Sequence, residues 1–425
     1  MQYDILITHA NLYFGKGRIE TDMDVAVADG KIAARGKNLD VTQAAQVIDA
    51  TGKLLSPGFI DSHMHIDLSY TYDYETKIPS LIGGAKQFHT LFDECASQPR
   101  EQLFDAINAR SAATVEACAV NGTTTLKHNV TYTNTWDTLG LDSALYIKER
   151  YQKYCSVLNC VSFSNPIPPE LDPVFYEVVL PYYEQAGAAG KVDFVSGYPH
   201  KHPDGKAVID GIFAYAEKYD RPIDIHCDET DVPLLTCFDY VTKKTAETGM
   251  NGQVSCGHVT GLSSHDLSDD TAKRLIEQAA AANVHVTSLT SCNLFLMNRN
   301  RRGPTRVRQL LDAGVNVSCA SDDIREILRP FGSCDMLEEA LLTAQVHKMG
   351  TTALLRQAFD MATYNPARNC LLRGYGLEDG CDADLVLLAA PSPELALLDQ
   401  AKKSYVIKNG AVIAADGKLL PGFLS

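Results

Sequence analysis

The sequence predicts an α/β fold, a (β/α)8 barrel joined to a small β-sandwich domain built from both chain ends. Two observations carry this. Residues 57–376 hold eight short apolar runs separated by amphipathic stretches, the signature of repeated strand–helix units. Residues 1–56 and 377–425 instead alternate with a period of two and are punctuated by Asp-Gly and Asn-Gly, the signature of short strands and tight turns. A chain of 425 residues has room for both units.

Taken in order, "DILITHANLYF", "MDVAVADGKIAARG" and "AQVIDATGKLL" predict short antiparallel strands at the start of the chain. The barrel strands are then expected at "GFIDSHMH", "GTTTLKHNV", "SVLNCVSFS", "KVDFVSGYP", "PIDIHCDE", "QVSCGHV", "NVHVTSLT" and "NVSCASDD". Stretches such as "DDTAKRLIEQAAAA" and "PTRVRQLLDAG" supply crossover helices. At the end, "ADLVLLAA" and "SYVIKNGAVIAADGKLL" return to strands and Gly turns, so the two ends are expected to pair into one β domain.

Composition narrows the function. A formal charge of −15 and a pI near 5.2 argue against a nucleic-acid or anionic-membrane surface, and favour a small neutral or cationic substrate. Twelve cysteines occur without a CxxC pair, so neither a disulfide framework nor a thiolate zinc knot is indicated. The N-terminus lacks a basic segment followed by an apolar one, and apolar runs such as "LVLLAA" are far shorter than a membrane span. A soluble, unprocessed, cytoplasmic protein is the expectation.

The histidines sort by strand end. His63 and His65 form an HxH at the end of the first barrel strand, where a period of two points both inward. His226 ends the fifth strand, His258 the sixth and Asp322 the eighth, so all face one barrel mouth, where barrels place their chemistry. His63, His65, His226 and Asp322 make an N3O donor set for one divalent ion, Zn2+ or Fe2+. His200 and His202, in "PHKHPDG", read instead as residues of a solvated loop.

"PGFIDSHMHID", "IHCDETD", the Gly257-His258 pair and "ASDDIREILRPFGSCDM" resemble the amidohydrolase superfamily, in the branch of the cytosine deaminases and of the enzymes that remove isopropylamine from N-isopropylammelide. The tail "LLDQAKKSYVIKNGAVIA" extends the likeness over nearly the whole chain. By that likeness Glu229 is the proton shuttle. His258 orients the attacking water, Asp322 both binds the ion and takes the water's proton, and Asn165 and Asp323 meet the substrate ring. The resemblance also implies a homo-oligomer. A divalent ion lowers the pKa of water to about 7 and relieves the cost of crowding His226, Asp228, Glu229 and Asp231 together. No lysine ends the fourth strand, where dinuclear members carry a carbamylated one, so a single ion is expected. Lys127, on the second strand, reads equally as structural or as substrate-facing.

Against that branch, Asn165 stands in place of a longer glutamine, Asn129 and Thr131 in place of a histidine and an acid, and Phe295 and Met297 in place of two polar residues. A less polar pocket puts cytosine itself in doubt and suits a larger or N-alkylated heterocyclic amine. The expected activity is hydrolytic deamination of such a ring. The alternatives are hydrolysis of a cyclic amide or an N-alkylamino-triazine within the same superfamily, and a metal-free scaffold that only binds partners. The HxE and PCxxC of the other nucleobase-deaminase architecture are absent.

Overall fold

Every apolar run expected as a barrel strand is one. The computed structural model describes residues 2–72, 98–165, 167–229, 236–296 and 303–423. Nine strands form a sheet from the two chain ends. They are β1 (Tyr3–Tyr13), β2 (Ile19–Ala28), β3 (Lys31–Gly36), β4 (Ala44–Asp49) and β5 (Leu54–Pro57), with four more from the C-terminus. The barrel strands are β6 (Phe59–Met64), β7 (Thr123–Asn129), β8 (Ser156–Ser162), β9 (Phe194–Gly197), β10 (Ile223–Cys227), β11 (Val254–His258), β12 (His285–Ser288) and β13 (Val317–Cys319). The C-terminal strands are β14 (Leu385–Leu388), β15 (Lys403–Lys408), β16 (Ala411–Ala415) and β17 (Lys418–Leu419).

The chain-end sheet corrects one expectation. β1 pairs antiparallel with β2, but β4 and β5 both run parallel to β1, β4 beside Tyr3–Thr8 and β5 beside Asn11–Leu12. Alternation reports that a strand has one buried face and says nothing of its direction. β5 then carries β14 antiparallel on its other edge, which joins the two ends of the chain. The expected Gly turns are present: Asp29-Gly30, Asn409-Gly410 and Asp416-Gly417 all have positive φ at both residues, the geometry of tight hairpin turns. Ile5, Ile7, Val25, Val27, Leu55, Leu385 and Ile407 bury a core shared by both ends.

β6 to β13 pair in sequence order, each parallel to the next. β13 returns to β6 through a bridge between Met64 and Asp322, with Asp322 N donating to His63 O (2.9 Å) and His65 N to Asp322 O (2.8 Å). This closes the barrel. Amphipathic helices cover its outside, among them Asp269–Ala281, which buries Ala272, Leu275, Ile276 and Ala279 and is capped by Ser268 Oγ accepting from Thr271 N. Gly58 alone separates β5 from β6; a Cβ there would sit 2.3 Å from Thr124 Cγ2, so the close approach of β7 requires glycine. Among the described residues no helix is long and apolar enough to cross a membrane, and all eleven cysteines are free.

Candidate active site

The site is built at the C-terminal ends of the barrel strands. His63 is the penultimate residue of β6 and His65 follows its end; His226 is in β10 and His258 closes β11. Asp322 lies beyond Cys319, the last residue of β13, and reaches the mouth through the seam with β6. Asp322 and His258 have φ of 66° and 67°. Such backbone is uncommon for residues other than glycine and persists where the surroundings hold it.

The side chains converge. His63 Nε2 is 3.0 Å from His226 Nε2, and His65 Nε2 is 3.2 Å from the same atom. Asp322 Oδ1 lies 3.6 Å from His63 Nε2 and 3.8 Å from His65 Nε2. Donors at 2.0–2.1 Å around a tetrahedral ion lie about 3.4 Å from one another, and the observed separations bracket that edge. All four residues are buried. Burial first, then the surrounding imidazoles, pushes His65 and His226 well below 6.5. Burial, then the Asp323 and Glu229 carboxylates, pushes Asp322 well above the usual carboxylate range. Neutral imidazoles beside a crowded buried carboxyl are a donor set that a divalent cation fits, since its charge reverses the cost on the carboxylate.

Around this cluster, His258 Nδ1 stands 3.5 Å from Glu229 Oε1 and 3.0 Å from Asn293 Nδ2, and its Nε2 lies 3.9 Å from Asp322 Oδ2. Glu229 is mostly buried, its side chain 16% exposed. Asp323 is buried; burial, then Glu229, raises its carboxyl to about 7. Cys292 Sγ reaches Asp323 Oδ2 at 3.5 Å, while Asp323 Oδ1 has no hydrogen-bond partner among the described residues. Arg329 holds the loop by donating to Ser321 O (2.8 Å), Asp323 O (3.0 Å) and Glu339 Oε1 (2.6 Å).

The structure separates the other sequence-derived candidates. Asn165 is buried with its amide engaged, Nδ2 donating to Asp172 Oδ2 (2.6 Å) and Oδ1 accepting from Ile167 N (3.1 Å). It is thus committed to its own loop. Asp228 turns inward as a structural acid, Oδ2 accepting from Phe238 N at 2.8 Å. Thr131 holds Asp67 through N (2.8 Å) and Oγ1 (2.9 Å). Lys127 resolves as an interior residue, 3.2 Å from Asp224 Oδ1. His202 is partly buried rather than solvated, and His200 Nδ1 lies 3.0 Å from His226 O. Phe295 meets Phe331 edge to face at 5.8 Å. Asp231 and Met297 lie outside the described residues.

Sequence reasoning missed Asp224, Tyr198 and Asn293. Asp224 had a signal, since it stands two residues before His226 and therefore on the same face of β10. Tyr198, whose ring centroid is 4.2 Å from that of His226, and Asn293, whose Nδ2 is 3.0 Å from His258 Nδ1, had none. A groove of about 1240 Å³ near His285, Asn316 and Arg368 opens at the other end of the strands and includes none of the clustered ligands.

Comparison with known proteins finds likenesses in both sequence and fold. The sequence profile described as the amidohydrolase family matches residues 46–153 and 183–414. N-isopropylammelide isopropyl amidohydrolase of Pseudomonas sp. strain ADP is 26% identical over 418 residues, covering 97% of this chain and 98% of that protein. The crystal structure of N-isopropylammelide isopropylaminohydrolase from Burkholderia multivorans superposes with a TM-score of 0.80 at 24% identity, covering 99% of this chain and 100% of that one. That of 5-methylcytosine deaminase from Klebsiella pneumoniae, liganded with 5-fluorocytosine, gives 0.81 at 24% identity, covering 96% and 97%.

Proposed function

The chain belongs to the amidohydrolase family, and from that premise we propose that it is a metal-dependent aminohydrolase that cleaves an exocyclic C–N bond of a heterocyclic amine, releasing ammonia or a small alkylamine. The observation that carries the reading is the convergence of His63, His65, His226 and Asp322 on one point with Glu229 and His258 beside it. The relatives that match along the whole chain act on such rings, as their names state.

His63, His65, His226 and Asp322 hold one divalent ion, zinc or iron. The ion's contribution when bound is to make water nucleophilic near neutral pH. Glu229 accepts the first proton of the water and delivers it to the ring nitrogen; the second, on the newly added hydroxyl, is taken by Asp322 and passed to the departing amine, which leaves only once protonated. His258 stands between Glu229 and Asp322 and orients the attacking oxygen. Asp323, with one buried oxygen unengaged and a carboxyl raised to about 7, is placed to donate or accept at the ring edge. Asn165, occupied by Asp172, takes no part in this reading. Apolar Phe295, standing in place of a polar residue and packed edge to face on Phe331, favours an N-alkylated or extended ring over cytosine.

The test measures ammonia and alkylamine release by the metal-loaded protein on cytosine, isocytosine, pterins, creatinine-like rings and alkylaminotriazines. Glu229→Gln is expected to retain metal and lose about 10²- to 10⁴-fold in kcat on the active substrate. Full turnover in that variant would remove Glu229 from its role. No amine release from any ring by protein that binds zinc would refute the aminohydrolase reading.

A further inference from the structure

Beneath the ligand cluster, the barrel interior carries a buried chain of polar side chains. Asp224 of β10, Lys127 of β7 and His63 of β6 are each 0% exposed. Asp224 Oδ2 is 3.3 Å from His63 Nδ1, and neither atom has a hydrogen-bond partner elsewhere among the described residues. Lys127 Nζ donates to Asp224 Oδ1 (3.2 Å) and to Asn369 Oδ1 (2.9 Å), and stands 4.2 Å from the centroid of the Phe194 ring. Asn369 Nδ2 in turn donates to Thr287 Oγ1 at 2.9 Å. Gly257 closes on the Cε1–Nδ1 edge of the His63 ring, where a Cβ would sit 2.9 Å from Cε1 and 3.2 Å from Nδ1.

We infer that Asp224, charge-matched and held by Lys127, is the positioning residue of the metal centre: it accepts a hydrogen bond from His63 Nδ1–H, which keeps that tautomer and leaves the Nε2 lone pair facing the ion. The inference rests on the metal-binding reading above and assigns to two further residues a role in it. A buried ion pair is a poor way to stabilise a barrel interior, because desolvating both charges offsets most of their attraction and apolar residues of like size serve as well or better. Its placement against a ligand imidazole gives it a use: a carboxylate behind a ligating histidine sets the tautomer, steers the ring and makes the nitrogen a stronger donor. Among the described residues, only the His63 ring of the three has a carboxylate oxygen within 3.3 Å of its Nδ1. His65 Nδ1 and His226 Nδ1 are buried without a hydrogen-bond partner among the described residues.

The experiment measures zinc affinity of chelator-stripped full-length protein by competition with a chromophoric chelator, together with the Tm of the metal-free form. Asp224→Asn, nearly isosteric, is expected to weaken zinc binding about 10- to 100-fold and, because it leaves the Lys127 charge buried and unpaired, to lower the metal-free Tm as well. Lys127→Met combined with Asp224→Asn removes both charges and keeps the layer neutral; it is expected to bind zinc as weakly as the single variant. Should Asp224→Asn fail to fold, the double variant decides. Zinc affinity within about twofold of the parent in the folded variant would overturn the inference. A parent protein that binds no zinc would instead refute the metal-centre reading, so the two failures are distinguishable.

Discussion

Gly257 shows how little room a ligand residue has. It lies beside His226 in the β10–β11 ladder, and the ring of His63 occupies the space where any side chain at 257 would start. Gly257→Ala is expected to push the imbalance onto His63, because the displaced atoms belong to a ring fixed at both nitrogens rather than to a flexible tail. Zinc affinity and kcat/KM should fall together, by about tenfold or more, as for loss of an outer-shell contact. Retained affinity in a competition titration would show that the ring moves freely. At this scale the clustering of His63, His65, His226 and Asp322 was legible in the sequence, since HxH and a histidine or acid at later strand ends need only the strand period to be placed. Asp224 was overlooked although the same period puts it on the face of His226. Lys127 could not be resolved because its partner lies on a distant strand. The hold of Asp172 on the Asn165 amide was not readable either, because it depends on how their loop folds.

Arg329 and Glu339 tie the segment after β13 to the helix Met336–Val346, and both are nearly fully buried. Burial lifts the Glu339 carboxyl to about 7 even with the guanidinium beside it. Arg329→Met removes the charge partner and the two donors that hold Ser321 O and Asp323 O. It is expected to cost about 3–5 kcal/mol of stability, the range for breaking one half of a buried pair. Urea unfolding measures this; a loss below about 1 kcal/mol, the scale of exposed pairs, would show that the pair is not a clamp. Strand and helix positions were readable from apolar periodicity, and the tight turns from Asp-Gly and Asn-Gly. The parallel course of β4 and β5 was not, because pairing direction is decided by which edge of β1 remains open after β2 has taken the other.

Across the whole molecule, acid should weaken the fold through His285, at the base of β12. The ring is 5% exposed, its Nε2 3.1 Å from Gly252 O and its Nδ1 2.9 Å from Asn316 Nδ2. The same Asn316 nitrogen donates to Asn365 O, so Nδ1 accepts and the ring is neutral. Burial lowers its pKa to about 4. The unfolded chain, at 6.5, therefore binds this proton first as the pH falls, and stability is lost between pH 6.5 and 4, by on the order of 3 kcal/mol. Urea midpoints of chelated protein at pH 7 and 4.5 check this against His285→Gln, in which the slope should flatten; carboxyls raised to about 7, such as Asp228 and Glu339, act in the other direction and cancel in the comparison. An unchanged slope would exclude His285 as the source. The architecture of paired chain ends around a barrel was foreseeable from where the alternating and apolar textures lie. The closing bridge between Met64 and Asp322 was not, and it ties folding to chemistry. His63, His65 and Asp322 of the cluster also fasten the first strand to the last, so the cluster is assembled only when the ring of strands completes. A partly folded chain therefore lacks it, and an ion bound there would act as a clasp that resists reopening.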